Sequence, residues 1–68
     1  MKISARNAIK GMVIEVNTGS VATQVVLDIG NGDRLTSLVT SDSVKDMNIK
    51  VGDLVTAIIK STDVMIAT

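Results

Sequence analysis

From Ile9 to Val16 apolar and polar residues alternate loosely, with Ile9, Gly11, Val13 and Glu15 on one parity and Lys10, Met12, Ile14 and Val16 on the other. A period of two predicts a β-strand. Asn17-Thr18-Gly19-Ser20 is a turn signal, and Val21 to Ile29 is dense in β-branched residues that suit a second strand. Gly30-Asn31-Gly32-Asp33 predicts a tight hairpin, because glycine and asparagine tolerate positive φ. Arg34 to Val39 is then the returning strand. Thr40 to Met47 changes character and reads as a short helix: Thr40 or Ser41 can cap its free amides, Asp42 suits the positive end of its dipole, and Asn48 can end it in the left-handed conformation. Lys50-Val51-Gly52-Asp53 is a turn, Leu54 to Lys60 a strand, Ser61-Thr62-Asp63 a tight connection and Val64 to Ile66 a final short strand. The prediction is therefore all-β: a small five-stranded OB-like Greek-key barrel, with one short helix between strands 3 and 4. It covers residues 1–68 as a single domain.

Two of these strands are apolar on both faces. Val25-Val26-Leu27 and Ala57-Ile58-Ile59 leave no polar side for water, which implies packing beyond a lone barrel. Composition sharpens the point. The chain of 68 residues is 46% hydrophobic without a single Phe, Tyr or Trp. So small a domain has too much surface to hide that much Val, Ile, Leu and Met, so the surplus is expected to face other subunits. Disulfides and thiolate metal sites are excluded, since there is no Cys, and the absence of His removes the commonest general base and metal ligand.

Charge narrows the partners. Seven basic residues balance seven acidic ones, whereas nucleic-acid binders carry a basic excess and single-strand binders add aromatic platforms. No nucleic acid and no membrane are the expectations: apolar runs fall far short of the roughly 20 residues that span a bilayer, and the N-terminal residues lack the apolar core of a signal peptide. A cytoplasmic location is the corresponding expectation.

Glu15, Asp28, Asp42 and Asp46 form no evident acid–base pair, and no phosphate-cradling glycine motif is present. An enzyme is not expected. What remains is a set of hydrogen-bond donors. Ser4-Ala5-Arg6-Asn7 opens the fold, Thr40-Ser41-Asp42-Ser43 opens the helix and Lys60-Ser61 closes the fourth strand. A tetrahedral oxyanion needs cations, hydroxyls and free amides and little else. By pattern alone, Thr40, Ser41 and Ser43 are more often caps, Lys60-Ser61 an ordinary strand end and Arg6 a solvated terminus.

The stretches Ser4-Ala5-Arg6-Asn7 with Ile9-Lys10-Gly11, then Val25-Val26-Leu27-Asp28-Ile29, Leu35-Thr36-Ser37, Val39-Thr40 and Ser43-Val44, and finally Val51-Gly52, Val55-Thr56-Ala57-Ile58-Ile59-Lys60-Ser61 and Val64-Met65-Ile66 resemble the molbindins and related TOBE-type molybdate-binding domains, in one unbroken register. The resemblance implies an OB-like fold assembling as a homohexamer, a trimer of dimers. It also implies molybdate or tungstate held at subunit interfaces with no cofactor, in service of intracellular molybdenum storage. By position, one class of site would use Ser4, Arg6, Thr40, Ser43, Lys60 and Ser61, drawn from different subunits of a dimer. A second class, near threefold axes, is assigned on amide availability to the turn Gly19, Ser20 and Val21. Alternatives are a regulatory or structural oligomeric module and, less favoured, a molybdopterin- or nucleic-acid-binding OB module. Without aromatics there is nothing to stack a pterin.

Overall fold

The computed structural model describes residues 4–68; residues 1–3 of the expected domain lie outside them. Strands β1 (Asn7–Thr18), β2 (Ala22–Gly30) and β3 (Asp33–Thr40) are followed by helix α1 (Ser41–Met47), strand β4 (Leu54–Ile59) and a 3-10 turn, Ser61–Asp63. All pairings are antiparallel, in one four-stranded sheet of order β3-β2-β1-β4.

The loose alternation in β1 has a physical cause. Val13 faces Leu27 and Glu15 faces Val26, leaving Ile14 as an extra residue in a β-bulge. The bulge switches parity, so the inward set is Ile9, Gly11 and Val13 on one side of it and Val16 on the other. At the same point β1 changes partner. Its first half pairs with β4, from Asn7 opposite Ile59 to Met12 opposite Leu54. Val13 then exchanges backbone hydrogen bonds with the turn before β4, donating to the Asp53 carbonyl and accepting from the Gly52 amide, both at 2.8 Å.

The hairpin forms as expected. Asn31 and Gly32 both have positive φ, 55° and 78°, the requirement of a two-residue type I′ turn whose twist matches the flanking strands. The expected helix caps also hold. Thr40 is the N-cap, its Oγ1 accepting from the Ser43 amide at 3.1 Å, and Asn48 closes α1 in the left-handed region. Capped at both ends, this short helix turns Val44 onto the concave face of the sheet, where it joins Val13, Val25 and Leu27 in the core. Val16, Ile29, Leu35, Val39, Ile49, Val55 and Ala57 pack around them.

The fifth strand expected at Val64 to Ile66 is not there: among the described residues the sheet has four strands and is a curled half-barrel. The 3-10 turn closes through Asp63 N–H to the Lys60 carbonyl and Val64 N–H to the Ser61 carbonyl. The chain beyond it pairs with neither the free edge of β3 nor that of β4, so Met65 and Ile66 lie exposed. An apolar run becomes a strand only where an unpaired edge is within reach.

Both faces of β2 are covered at its centre, with Val25, Val26 and Leu27 all buried. Elsewhere the apolar surplus is on the outside: Leu38 is 73% and Leu54 79% exposed, with Val21, Met47, Val51 and Ile58 also open to solvent. Val13 has no exposure at all, so Val13→Ala should cost about 2 kcal/mol through lost methyl burial and an unfilled cavity. Urea unfolding at fixed protein concentration checks this.

Candidate functional site

Two motifs far apart in sequence become neighbours through the β1–β4 ladder. Its last pair is Asn7 with Ile59, so Arg6 directly precedes the ladder on one strand and Lys60 directly follows it on the other. Ser4 and Ser61 continue outward from these positions. All four are exposed, and Lys60, at the N-cap of the 3-10 turn, makes no side-chain capping bond. Among the described residues the one ion pair is Lys50 with Asp53, at 3.7 Å. Arg6 and Lys60 are thus brought to the same end of the ladder, and neither makes an ion pair among the described residues. Asp63, in the following turn, is the nearest acid in sequence.

Thr40 and Ser43 form a second cluster. Their hydroxyl oxygens are 2.6 Å apart, and Thr40 Oγ1 also accepts the Ser43 amide. The capping role is thus real, yet it does not use up the pair. Each hydroxyl carries one proton; one is spent between the two, and the other remains for an outside acceptor.

The protomer does not gather all six residues into one cage. Ala22 faces Thr40 and Thr18 faces Thr23, which puts the helix start beside the C-terminal end of β1. Arg6 and Lys60 lie at its N-terminal end. No hydrogen bond joins the two clusters among the described residues. Between the sheet edges lies an open, mainly apolar depression of about 600 Å³, lined by residues that include Ser43 and Met47 from α1 and Ile59, Asp63 and Val64 from beyond the middle of β4.

The turn of Gly19, Ser20 and Val21 is exposed. The Gly19 amide is occupied, donating to the Ala22 carbonyl at 3.0 Å. Gly19 is required there, since a Cβ would sit 2.5 Å from that carbonyl oxygen. The Ser20 and Val21 amides make no backbone hydrogen bond among the described residues.

Thr23 was not singled out by the sequence, and Ser41 was read there only as an alternative cap and helix-start donor. Thr23 and Ser41 are the buried polar residues among those described, with Thr23 fully inaccessible. Their hydroxyls meet at 2.7 Å, and Ser41 Oγ donates to the Gly19 carbonyl at 2.7 Å. Parity carried a signal for the first, because Thr23 shares the inward face of β2 with Val25 and Leu27. Helical spacing carried one for the second, because Ser41 lies three residues before the inward Val44. No group of three or more Asp, Glu, His or Cys able to hold a cation occurs among the described residues.

An open all-β module whose chemistry consists of hydrogen-bond donors and unpaired cations belongs with binding domains. The TOBE domain family model matches residues 3–66, and the chain belongs to that family. It is 53% identical over 66 residues to molybdenum-pterin-binding protein 3 of Clostridium pasteurianum, covering 97% of each chain. The fold superposes on MopII from the same organism with a TM-score of 0.92 at 46% identity, covering 98% of this chain and 100% of that one. A molybdate-binding protein from Sporomusa ovata gives a TM-score of 0.94 at 38% identity over the whole of both chains. The family resemblance read from the sequence therefore holds, and of the expected fold the all-β architecture with one short helix holds while the fifth strand does not.

The cap and any ligand role of Thr40 separate by substitution. Thr40→Ala should lower stability by about 1 kcal/mol, while Thr40→Asp, an equally good N-cap, should restore most of it. Paired denaturation curves of the two variants measure the difference.

Proposed function

We propose that residues 1–68 act as one module that binds molybdate or tungstate between copies of itself, holding the oxyanion for intracellular storage without transforming it. The observation that carries this reading is the juxtaposition of Arg6 and Lys60 at the end of the β1–β4 ladder. Two adjacent cations without an acid to pair them repel each other, and a dianion between them removes that cost. Ser4 and Ser61 flank them with hydroxyls, and similarity to proteins described as binding molybdate points to the same ligand class.

The separation of the two clusters within the protomer favours an interface. Thr40 and Ser43 of one copy would complete the ring begun by Ser4, Arg6, Lys60 and Ser61 of another. Exposed Leu38, Leu54 and Met47 supply apolar surface for that contact. Burial between subunits would strip water from the anion, which strengthens each donor and makes an unmatched oxygen costly. A ligand that keeps a proton, such as hydrogen phosphate, would present an O–H to groups that only donate, and would be disfavoured for that reason. In this reading the anion is held by cations, hydroxyls and amides alone, without a cofactor. The assembly in this reading is a hexamer built as a trimer of dimers, working in the cytoplasm.

Calorimetric titration with molybdate tests the ligand. The wild-type protein should bind, and Arg6→Ala combined with Lys60→Ala should weaken binding by about two orders of magnitude or more. A wild-type protein that fails to bind molybdate would overturn the reading; unchanged affinity in the double variant would overturn the residue assignment alone. Sedimentation should give a mass of six chains, and Leu38→Asp should reduce it by placing a charge on an apolar contact surface. A stable monomer at micromolar concentration would contradict the interface.

A further inference from the structure

We infer that Asn31 is a site of spontaneous modification, converting to aspartate or isoaspartate through the Gly32 amide, and that the folded β2–β3 hairpin holds this reaction shut. Among Asn7, Asn17, Asn31 and Asn48, Asn31 alone precedes a glycine. The others are followed by Ala8, Thr18 and Ile49, whose side chains crowd the approach of the next backbone nitrogen. Asn31 and Gly32 are both exposed, and nothing lies within 4 Å of where a Cβ on Gly32 would stand. Among the described residues no hydrogen bond engages the Asn31 carboxamide or the Gly32 N–H.

The chemistry needs only water. The Gly32 nitrogen attacks Asn31 Cγ, and the new C–N bond closes a five-membered imide. The Cγ–Nδ2 bond breaks, and ammonia leaves with the proton that Gly32 gave up. Water then opens the imide. Opening at Cγ yields aspartate; opening at the main-chain carbonyl yields isoaspartate, whose backbone runs through Cβ and Cγ and is longer by a methylene. Either product adds a negative charge between Asp28 and Asp33, in a chain whose charges otherwise balance.

The hairpin controls the first step. Gly30, Asn31 and Gly32 all have positive φ, at 105°, 55° and 78°. A type I′ turn takes its first central residue, here Asn31, to a ψ of about +30°. At that angle the Gly32 nitrogen lies nearly opposite Cβ across the Cα–C bond, facing away from the carboxamide. Ring closure needs both on the same side. That rotation is blocked while Gly30 pairs with Asp33 and the Gly30 N–H donates to Asp28 Oδ1 at 2.9 Å. Reaction therefore proceeds from the opened hairpin. The isoaspartyl product cannot close again, because its longer backbone no longer fits a two-residue loop in this register. The site leaves a permanent mark on chains that have spent time unfolded.

Incubation at mildly alkaline pH, with one sample folded and one in guanidinium chloride, tests this by peptide mass spectrometry. Conversion should appear at Asn31 before Asn7, Asn17 or Asn48, and roughly tenfold or more faster in the denatured sample. After refolding, the isoaspartyl fraction should melt at a lower Tm. Asn31→Asp, which suits the same turn, should keep most of the stability and so separate the added charge from the lengthened backbone. Asn31→Gly, also compatible with the turn, should lose no stability over the same incubation. An unconverted Asn31 in the denatured chain would overturn the site. Equal rates in the two samples would overturn the gate, and an isoaspartyl chain that melts like fresh protein would overturn the permanent mark.

Discussion

A β-strand has two hydrogen-bonding edges, and β1 uses both: its first half is partnered by β4, its second by β2, and Met12 sits between Leu54 and Asp28 with a neighbour on each side. The bulge at Ile14 lets one strand serve two partners, because it bends the strand and resets which side chains face inward. Val13, at that hinge, is the most enclosed apolar residue, and its backbone clips the turn ahead of β4. If β1 were regular, the inward parity of Ile9, Gly11 and Val13 would continue through Glu15, placing a carboxylate over the core instead of Val16.

The dependence on β1 also decides where chemistry can sit. Arg6 and Lys60 with the hydroxyls of Ser4 and Ser61 gather at one end, Thr40 and Ser43 at the other, and no hydrogen bond joins the two sets among the described residues. A closed monomeric barrel would have brought loops together at a single mouth. A half-barrel open along β3 and β4 leaves its donor groups at its margins. The same openness accounts for the apolar residues left outside, so the excess of Val, Ile, Leu and Met and the divided donor set have one origin.

Much of this was legible in the chain. Asn31-Gly32, Thr40 and Asn48 each announced a backbone conformation that the structure contains, because those residue types do local work that needs no distant partner. The motif beginning at Ser4 and the motif ending at Ser61 were legible as donors, though their adjacency is a property of strand register. What the chain concealed was non-local. Val64 to Ile66 has strand-like residues, but whether they pair depends on an edge supplied from elsewhere. The bulge at Ile14 appeared only as imperfect alternation. Ser41 was hidden behind Thr40: two hydroxyl residues in succession both fit a cap, and only packing against Thr23 shows that the second faces inward.

The strand pairings also differ in how far the chain must travel to make them. β1 with β2 and β2 with β3 are hairpins closed by short turns, whereas the β1–β4 ladder joins Asn7 to Ile59, nearly the two ends of the described chain. Local pairings cost little loop entropy and form early; distant ones wait until the intervening chain is ordered. The β1–β2–β3 meander is thus the natural nucleus, and the juncture of Arg6 with Lys60 is a late event in the life of each newly made chain. Until β4 docks, the two cations are separate and solvated, so this end of the ladder comes into being only with the completed sheet.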